Sequence, residues 1–306
     1  MIAVLGECVA DAFATRLPHQ DELALRVLPG GSPANTAVAL ARLGTATRFL
    51  GRVSGDVFGR LFLDHLSASG VDLSACVTAA EPSTLAIASL DGDGQATYSF
   101  HAEGTADWQW GPTELDPGRL DGASCLHTGS LALVRAPGAV AVEGFLRVVS
   151  ARATISIDPN VRPSLADRAD YPVARWCAVA DVLKLSQDDL AVLCPGVAVE
   201  AACDTWHAAG ARLIVVTRGA DGALVSLDGA RASVPAPKVK VVDTVGAGDA
   251  FTAGLLHRLD VLGHLGGRLD RLDLDTAVDA ASFAVRVAAL TCEVAGANPP
   301  WPDRLS

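Results

Sequence analysis

Short β-branched runs alternate with longer segments whose apolar positions recur at helical spacing through most of the chain. Strands alternating with amphipathic helices mark an α/β fold with a parallel sheet. Residues 2–6 read as a buried first strand. Ser32-Pro33 opens a helix, because Ser is a favoured N-cap and Pro suits the first helical position. Ala37, Val38, Leu40, Ala41 and Leu43 form its apolar stripe and Gly44 closes it. The same reading predicts a strand over 46–50, a helix over 57–69 closed by Gly70, and a short strand over 73–78. Further strands are predicted over 124–128, 153–157, 181–185 and 212–216, and helices over 138–149, 171–178, 187–194 and 199–209. Residues 222–227 and 231–235, with Asp228-Gly229 between them, read as a hairpin. Two long helices, over 248–265 and 274–290, end the chain.

Two stretches break the alternation. Residues 12–29 hold the strand-like Glu22-Leu23-Ala24-Leu25-Arg26-Val27, and residues 84–101 read as a hairpin turning at Asp91-Gly92-Asp93-Gly94. Strands inserted between α/β units do not readily join a parallel sheet, so they are expected to form a small sheet suited to cover a site. The expected division is a core of 1–11, 30–83 and 102–306, and a lid of 12–29 and 84–101.

Charge and composition narrow the function. With 306 residues the chain is long enough for a large buried core, and its 35 carboxylates outweigh 24 Lys and Arg to give a net charge of −11. That balance argues against nucleic acid or an anionic membrane as partner, whose binding rests on basic side chains. Any anion must be held locally, by backbone N–H groups or single cations. Cys8, Cys76, Cys125, Cys177, Cys194, Cys203 and Cys292 are scattered with no C-x-x-C, which fits a reducing compartment. Met1 to Glu7 lacks a basic targeting segment and no stretch has the length of a membrane span, so a cytoplasmic location is expected. None of Lys184, Lys238 and Lys240 follows a glycine, which excludes a Walker A loop, and no His pair has H-E-x-x-H spacing.

The most informative stretch runs from Asp243 to Gly254, with Gly246-Ala247-Gly248-Asp249 at the mouth of an apolar helix. Glycines there allow successive N–H groups to point outward, and the helix N-terminus adds roughly half a positive charge. An anion pocket results without any lysine, with the Asp249 carboxylate at its rim. Phosphoryl transfer needs both parts: donors for the transferred group and a carboxylate for the acceptor hydroxyl's proton. A second stretch, Gly30-Gly31-Ser32-Pro33-Ala34-Asn35, places paired glycines before a helix and an amide in its first turns, which suits a small hydroxylated ligand. Read alone, each stretch is equally compatible with a glycine turn and a solvent-facing polar residue.

Together these stretches resemble the two signatures of the ribokinase-like (PfkB) sugar kinases, with fructokinases the nearest kind. Gly51-Arg52-Val53-x-Gly55-Asp56, Gly104-Thr105-Ala106-Asp107, Asp158-Pro159-Asn160-Val161-Arg162, Val216-Thr217-x-Gly219 and Gly296-Ala297 extend the likeness along the chain. The resemblance implies a ribokinase-like three-layer sandwich, α/β with a central mostly parallel sheet and a small β-sheet lid. It implies an ATP-dependent kinase that phosphorylates a primary sugar hydroxyl, with fructose first. Alternatives are ribokinase, 2-keto-3-deoxygluconate kinase or a catalytically silent sugar sensor. It makes Asp249 the base, with Gly246, Ala247 and Gly248 forming the anion hole. Asp11, at the end of the first strand, would hold the sugar with Gly30, Gly31, Asn35, Asn160 and Arg162. Lys184, Thr217, Gly219, Gly222 and Gly248 would meet ATP. Asp243 and the Val245 carbonyl would hold a monovalent cation such as K⁺, and Asp189 would reach Mg²⁺ through water. Ser186 stands where many relatives carry Asn, which alters that metal-water network. A homodimer through the lid is also expected, because unpaired strand edges are usually covered.

Overall fold

The computed structural model describes residues 1–16, 22–90 and 96–305. In chain order its strands are β1 (Ile2–Leu5), β2 (Val9–Arg16), β3 (Leu23–Gly30), β4 (Thr47–Leu50), β5 (Arg52–Ser54), β6 (Val77–Ala79), β7 (Thr84–Leu90), β8 (Ala96–His101), β9 (Cys125–Gly129), β10 (Thr154–Asp158), β11 (Val182–Ser186), β12 (Leu213–Thr217), β13 (Ala223–Leu227) and β14 (Ala230–Val234). Its α-helices are α1 (Ser32–Arg42), α2 (Val57–Ala68), α3 (Gly138–Val149), α4 (Val173–Cys177), α5 (Gln187–Leu193), α6 (Val199–Ala208), α7 (Ala247–Val261) and α8 (Leu274–Cys292).

The main sheet has the order β14-β13-β12-β11-β10-β9-β1-β4. It is parallel from β4 to β12, and the β13–β14 hairpin adds antiparallel to its edge. Both faces are buried, so its strands read as nearly continuous apolar runs. The period of two still sorts them. Leu5, Ile155, Ile157, Leu183, Leu185, Ile214 and Val216 enter the core beneath α3 to α6, joined by Phe145, Trp176 and Trp206. Ile2 and Val4 point the other way and pack with Ala37 and Leu40 of α1 and Ala253 and Leu256 of α7. Val182, Leu213 and Val215 meet Leu255 and Leu259 of α7 and Ala277 and Ala281 of α8. This is the expected three-layer sandwich.

The second sheet has the order β3-β2-β7-β8. β2 pairs antiparallel with β3 and parallel with β7, and β7 pairs antiparallel with β8. Both of the stretches that break the alternation therefore join one small sheet. Its strands begin and end closer to the core than expected: β2 starts at Val9 and β3 ends at Gly30. Asp11 accordingly lies within β2, opposite Leu28, and not at the end of the first strand. The expected turn at Asp91-Gly92-Asp93-Gly94 falls outside the described residues. The short strand expected over 73–78 is the three-residue β6, which forms a separate parallel pair with β5.

Candidate active site

The carboxyl ends of β1, β9, β10, β11 and β12 stand side by side at one edge of the parallel sheet. Ligands of open α/β sheets bind outside that edge. The expected residues follow it in order. Asp158, Asn160 and Arg162 end or follow β10, Lys184 lies at the middle of β11 and Ser186 ends it, and Thr217, Gly219 and Gly222 end or follow β12.

Asp249 is the third residue of α7 and is 9% exposed. Its two carboxylate oxygens are held from α1: Ser32 Oγ donates to Oδ1 at 2.6 Å and Asn35 Nδ2 donates to Oδ2 at 2.9 Å. The N-cap reading of Ser32 is thus corrected. Gly31 occupies the cap position, no side chain caps the helix, and Ser32 begins α1 with its hydroxyl turned towards α7. Gly31 has φ +100°, and a Cβ there would lie 2.5 Å from the Glu7 carbonyl oxygen, so only glycine lets α1 start this close to β1. Sequence reasoning missed the Ser32 contact. Asn35, expected at the sugar, is engaged with the Asp249 carboxylate.

Gly246 caps α7 in the left-handed region at φ +76°, wedged against Ala297. The Ala247 N–H donates to Thr244 O at 3.2 Å, a turn contact. The amides of Gly248 and Asp249 belong to the first turn of the helix, whose N–H groups have no intrahelical acceptor and can hold an anion. Beneath Gly248 lies Lys184. Its neighbours Leu183 and Leu185 face the opposite core, so the period of two turns Lys184 towards α7. A Cβ added to Gly248 would be 3.1 Å from Lys184 Nζ. The ammonium donates to Asp158 Oδ2 at 2.7 Å in a pair that is 4% exposed on each side. Burial draws the Lys184 pKa down, but Asp158, with Asp249 and Asp189, more than offsets it and holds it above the usual lysine value. A fixed cation therefore stands behind the first-turn amides of α7, a partnership with Asp158 that spacing alone did not reveal.

Asp11 is half-buried, and its carboxylate lies against Gly30, where a Cβ would come 2.1 Å from Oδ2. Burial raises its pKa to about 6, with Arg162 pulling it down and the charge of Asp249 pushing it up, so these three groups share one electrostatic neighbourhood. Arg162 is exposed and folds back on the carbonyls of Asn160 and Val161. Asn160 has φ +41°, and its buried Nδ2 has no partner among the described residues, leaving a donor for a ligand hydroxyl.

At the nucleotide end, Thr217 Oγ1 donates weakly to Leu185 O at 3.4 Å, and Gly219 and Gly222 bracket a tight turn closed by Gly222 N–H on Gly219 O at 3.1 Å. Asp243 joins two loops: Oδ1 accepts from Val245 N–H at 3.1 Å and Oδ2 from Gly296 N–H at 2.8 Å. These N–H donors, Gly296 first, hold its carboxyl below the usual range. Ser186 and Asp189 form a capping box at α5. Asp189 Oδ2 accepts from Ser186 N–H and Oγ at 3.0 and 2.6 Å, and Oδ1 from Val161 N–H at 2.8 Å. Among the described residues no group of three or more His, Cys, Asp or Glu is placed to hold a metal. As a hard oxygen donor, the Asp189 carboxylate is of the chemical kind that suits Mg²⁺, an ion that keeps its waters and is bound mainly through phosphates.

Residues 1–304 match the model of the pfkB family carbohydrate kinases. A fructokinase of Rhizobium leguminosarum bv. trifolii is 37% identical over 258 residues, covering 82% of this chain and 78% of that protein. The crystal structure of a Xylella fastidiosa fructokinase with bound ATP superposes with a TM-score of 0.89 at 29% identity, covering 99% of this chain and 96% of that one. A double mutant of Vibrio cholerae O395 fructokinase, with fructose, ADP and potassium ion bound, gives a TM-score of 0.80 at 28% identity, covering 97% of this chain and 93% of that one. On this fold and with these relatives, the chain belongs to the pfkB family of carbohydrate kinases, phosphotransferases with an alcohol group as acceptor.

Proposed function

We propose that the chain transfers the γ-phosphoryl group of ATP to a primary hydroxyl of fructose. The observation that carries this reading is the Asp249 carboxylate, fixed by Ser32 and Asn35 beside the first-turn amides of α7 and above Lys184. The acceptor hydroxyl donates to Asp249 and its oxygen attacks the γ-phosphorus. The new O–P bond forms as the bond to the β,γ-bridging oxygen breaks, ADP leaves, and the hydroxyl proton passes to Asp249. The amides of Gly248 and Asp249, with Lys184 behind them, stabilise the equatorial oxygens in flight, the main task in a loose phosphoryl transfer.

Asp11, Gly30, Gly31, Asn160 and Arg162 form the sugar side, and Thr217, Gly219 and Gly222 the nucleotide side. Mg²⁺ bound with ATP would supply charge neutralisation during transfer, and Asp189 would hold it through water. The loop pinned by Asp243 supplies the oxygen donors of a monovalent cation site, with the Val245 carbonyl among them. The small sheet acts as a lid. Asp11, Phe13, Arg26 and Leu28 share one of its faces by register and Leu23 and Leu25 lie on the other. The exposed Leu23 and Leu25, on the face turned away from Asp11, support a homodimer through this sheet.

Curated relatives and solved neighbours named fructokinase support fructose over ribose. A coupled ADP-release assay over fructose, ribose, 2-keto-3-deoxygluconate, tagatose and nucleosides tests it. Fructose should give the highest kcat/KM. A lead of roughly tenfold or more by another sugar, about 1.4 kcal/mol, overturns the fructose assignment and leaves the family.

A further inference from the structure

The Gly104-Thr105-Ala106-Asp107 stretch has no part in the phosphoryl-transfer site, yet it ends in a carboxylate that is only 3% exposed. Asp107 sits in a single 3-10 turn, Ala106–Trp108, just beyond the small sheet. Its Oδ1 accepts from the N–H of Cys8, the residue before β2, at 2.9 Å. Its Oδ2 accepts from Oγ1 of Thr84, the first residue of β7, at 2.6 Å. Thr105 Oγ1 lies 2.6 Å from the same Thr84 hydroxyl and donates at 3.1 Å to the carbonyl of Ala102, the residue after β8. The roots of β2 and β7 thus meet at one buried carboxylate, the root of β8 joins them through Thr105, and the fourth strand, β3, runs directly into Gly31 and α1.

We infer that Asp107 is a positioning residue for the sugar: it ties the roots of β2 and β7 to the core and so sets where Asp11 stands relative to Asp249. This rests on the reading of the small sheet as a lid. Asp11 lies three positions beyond Cys8, roughly 10 Å of extended chain, so a small tilt at the tie becomes a displacement of the Asp11 carboxylate. A misplacement of about 1 Å in a reacting group can cost on the order of 10²-fold in rate. The contacts of Asp107 are directional and buried, so losing them leaves the Cys8 N–H unpaired and Thr84 Oγ1 with Thr105 Oγ1 in place of the carboxylate. Neither Lys184 nor the Thr217–Gly222 turn touches this tie, so the nucleotide side should not feel it.

The test compares Asp107→Ala, Asp107→Asn and Thr84→Val in the full chain. Fructose and ATP kinetics are measured with amide hydrogen exchange across β2 and β7. Asp107→Ala should raise the fructose KM about tenfold or more while the ATP KM stays within about twofold. Asp107→Asn should recover most of the loss, because its oxygen still accepts from Cys8 and Thr84 can turn to accept from its amide. Thr84→Val, which cuts one arm of the tie, should fall between and keeps the inference testable if Asp107→Ala does not fold. Faster exchange in β2 and β7 should accompany the higher KM. Unchanged exchange in a folded Asp107→Ala protein overturns the tie and leaves the lid reading standing. Faster exchange with unchanged fructose KM overturns the lid reading and the positioning role with it.

Discussion

Asn35 Nδ2 donates to Asp249 Oδ2 at 2.9 Å, so residues 214 positions apart share one hydrogen bond. The two glycine-led stretches therefore meet on a single carboxylate, where α1 and α7 converge. General-base groups typically contribute ~10²–10⁴ in rate. Asp249→Asn keeps the size of the side chain but removes its proton-accepting charge. Its kcat should fall by at least ~10² with ATP binding near wild type. Melting temperature measured on the same preparation separates this from simple unfolding. A folded variant that keeps more than roughly a tenth of wild-type turnover removes Asp249 as the base.

Ser32 offers a sharper test because its two roles predict different things. As a helix cap, Ser32→Ala would cost about 1 kcal/mol of stability. As an orienter of Asp249, with no cap hydrogen bond of its own, it should leave the melting temperature nearly unchanged. kcat should then fall by roughly tenfold, the worth of one hydrogen bond to a charged group. Loss of stability with intact turnover would restore the cap role.

The strand-helix alternation was legible because both faces of the sheet are buried and each strand carries an unbroken apolar run. The glycine-led start of α7, with Asp249 in its first turn, was legible because glycines break the preceding loop at the mouth of an apolar run. The direction of the Ser32 hydroxyl was not, since it depends on Gly31 adopting φ +100° and on α7 arriving from 217 residues away. The place of Asp11 was misjudged for a related reason: Val9 and Ala10 continue the apolar character of β1, and only the break at Gly6 to Cys8 separates the two strands. Ser186 and Asp189 stand at S-x-x-D spacing, whose local use as a capping box is visible in the structure while any metal-linked water is not a property of spacing.

Asp243 closes the loop before α7 onto Gly296, and the monovalent-cation reading of that loop predicts an ion effect. Turnover should change severalfold between K⁺ and Li⁺ buffers at equal ionic strength. Asp243→Ala should be slower and insensitive to the exchange. Wild-type turnover indifferent to the ion removes the site and leaves the kinase assignment untouched.

Glu7 makes the last prediction, and it concerns stability. It follows β1, is 2% exposed, and its Oε2 has no partner among the described residues. Burial raises its pKa from 4.5 to about 7; a hydrogen bond from Ser130 works against this, and the charge of Asp107 adds to it. The folded state thus binds more protons than the unfolded state between about pH 4.5 and 7. Stability from this group is complete below that window, is lost as pH rises through it, and changes no further above about 7. The loss is on the order of 3 kcal/mol. Asp11, Asp107 and Asp181, each raised to about 6 by burial, tilt the profile the same way. They remain in a Glu7→Gln variant, so they cancel in the comparison to first order. Glu7→Gln has no proton to exchange. Relative to wild type its melting temperature should rise by several degrees between pH 5 and pH 8, whatever fixed cost the amide brings. Thermal melts of both proteins at several pH values measure this directly. A constant offset between the two curves across that range means that Glu7 does not titrate there in the folded protein.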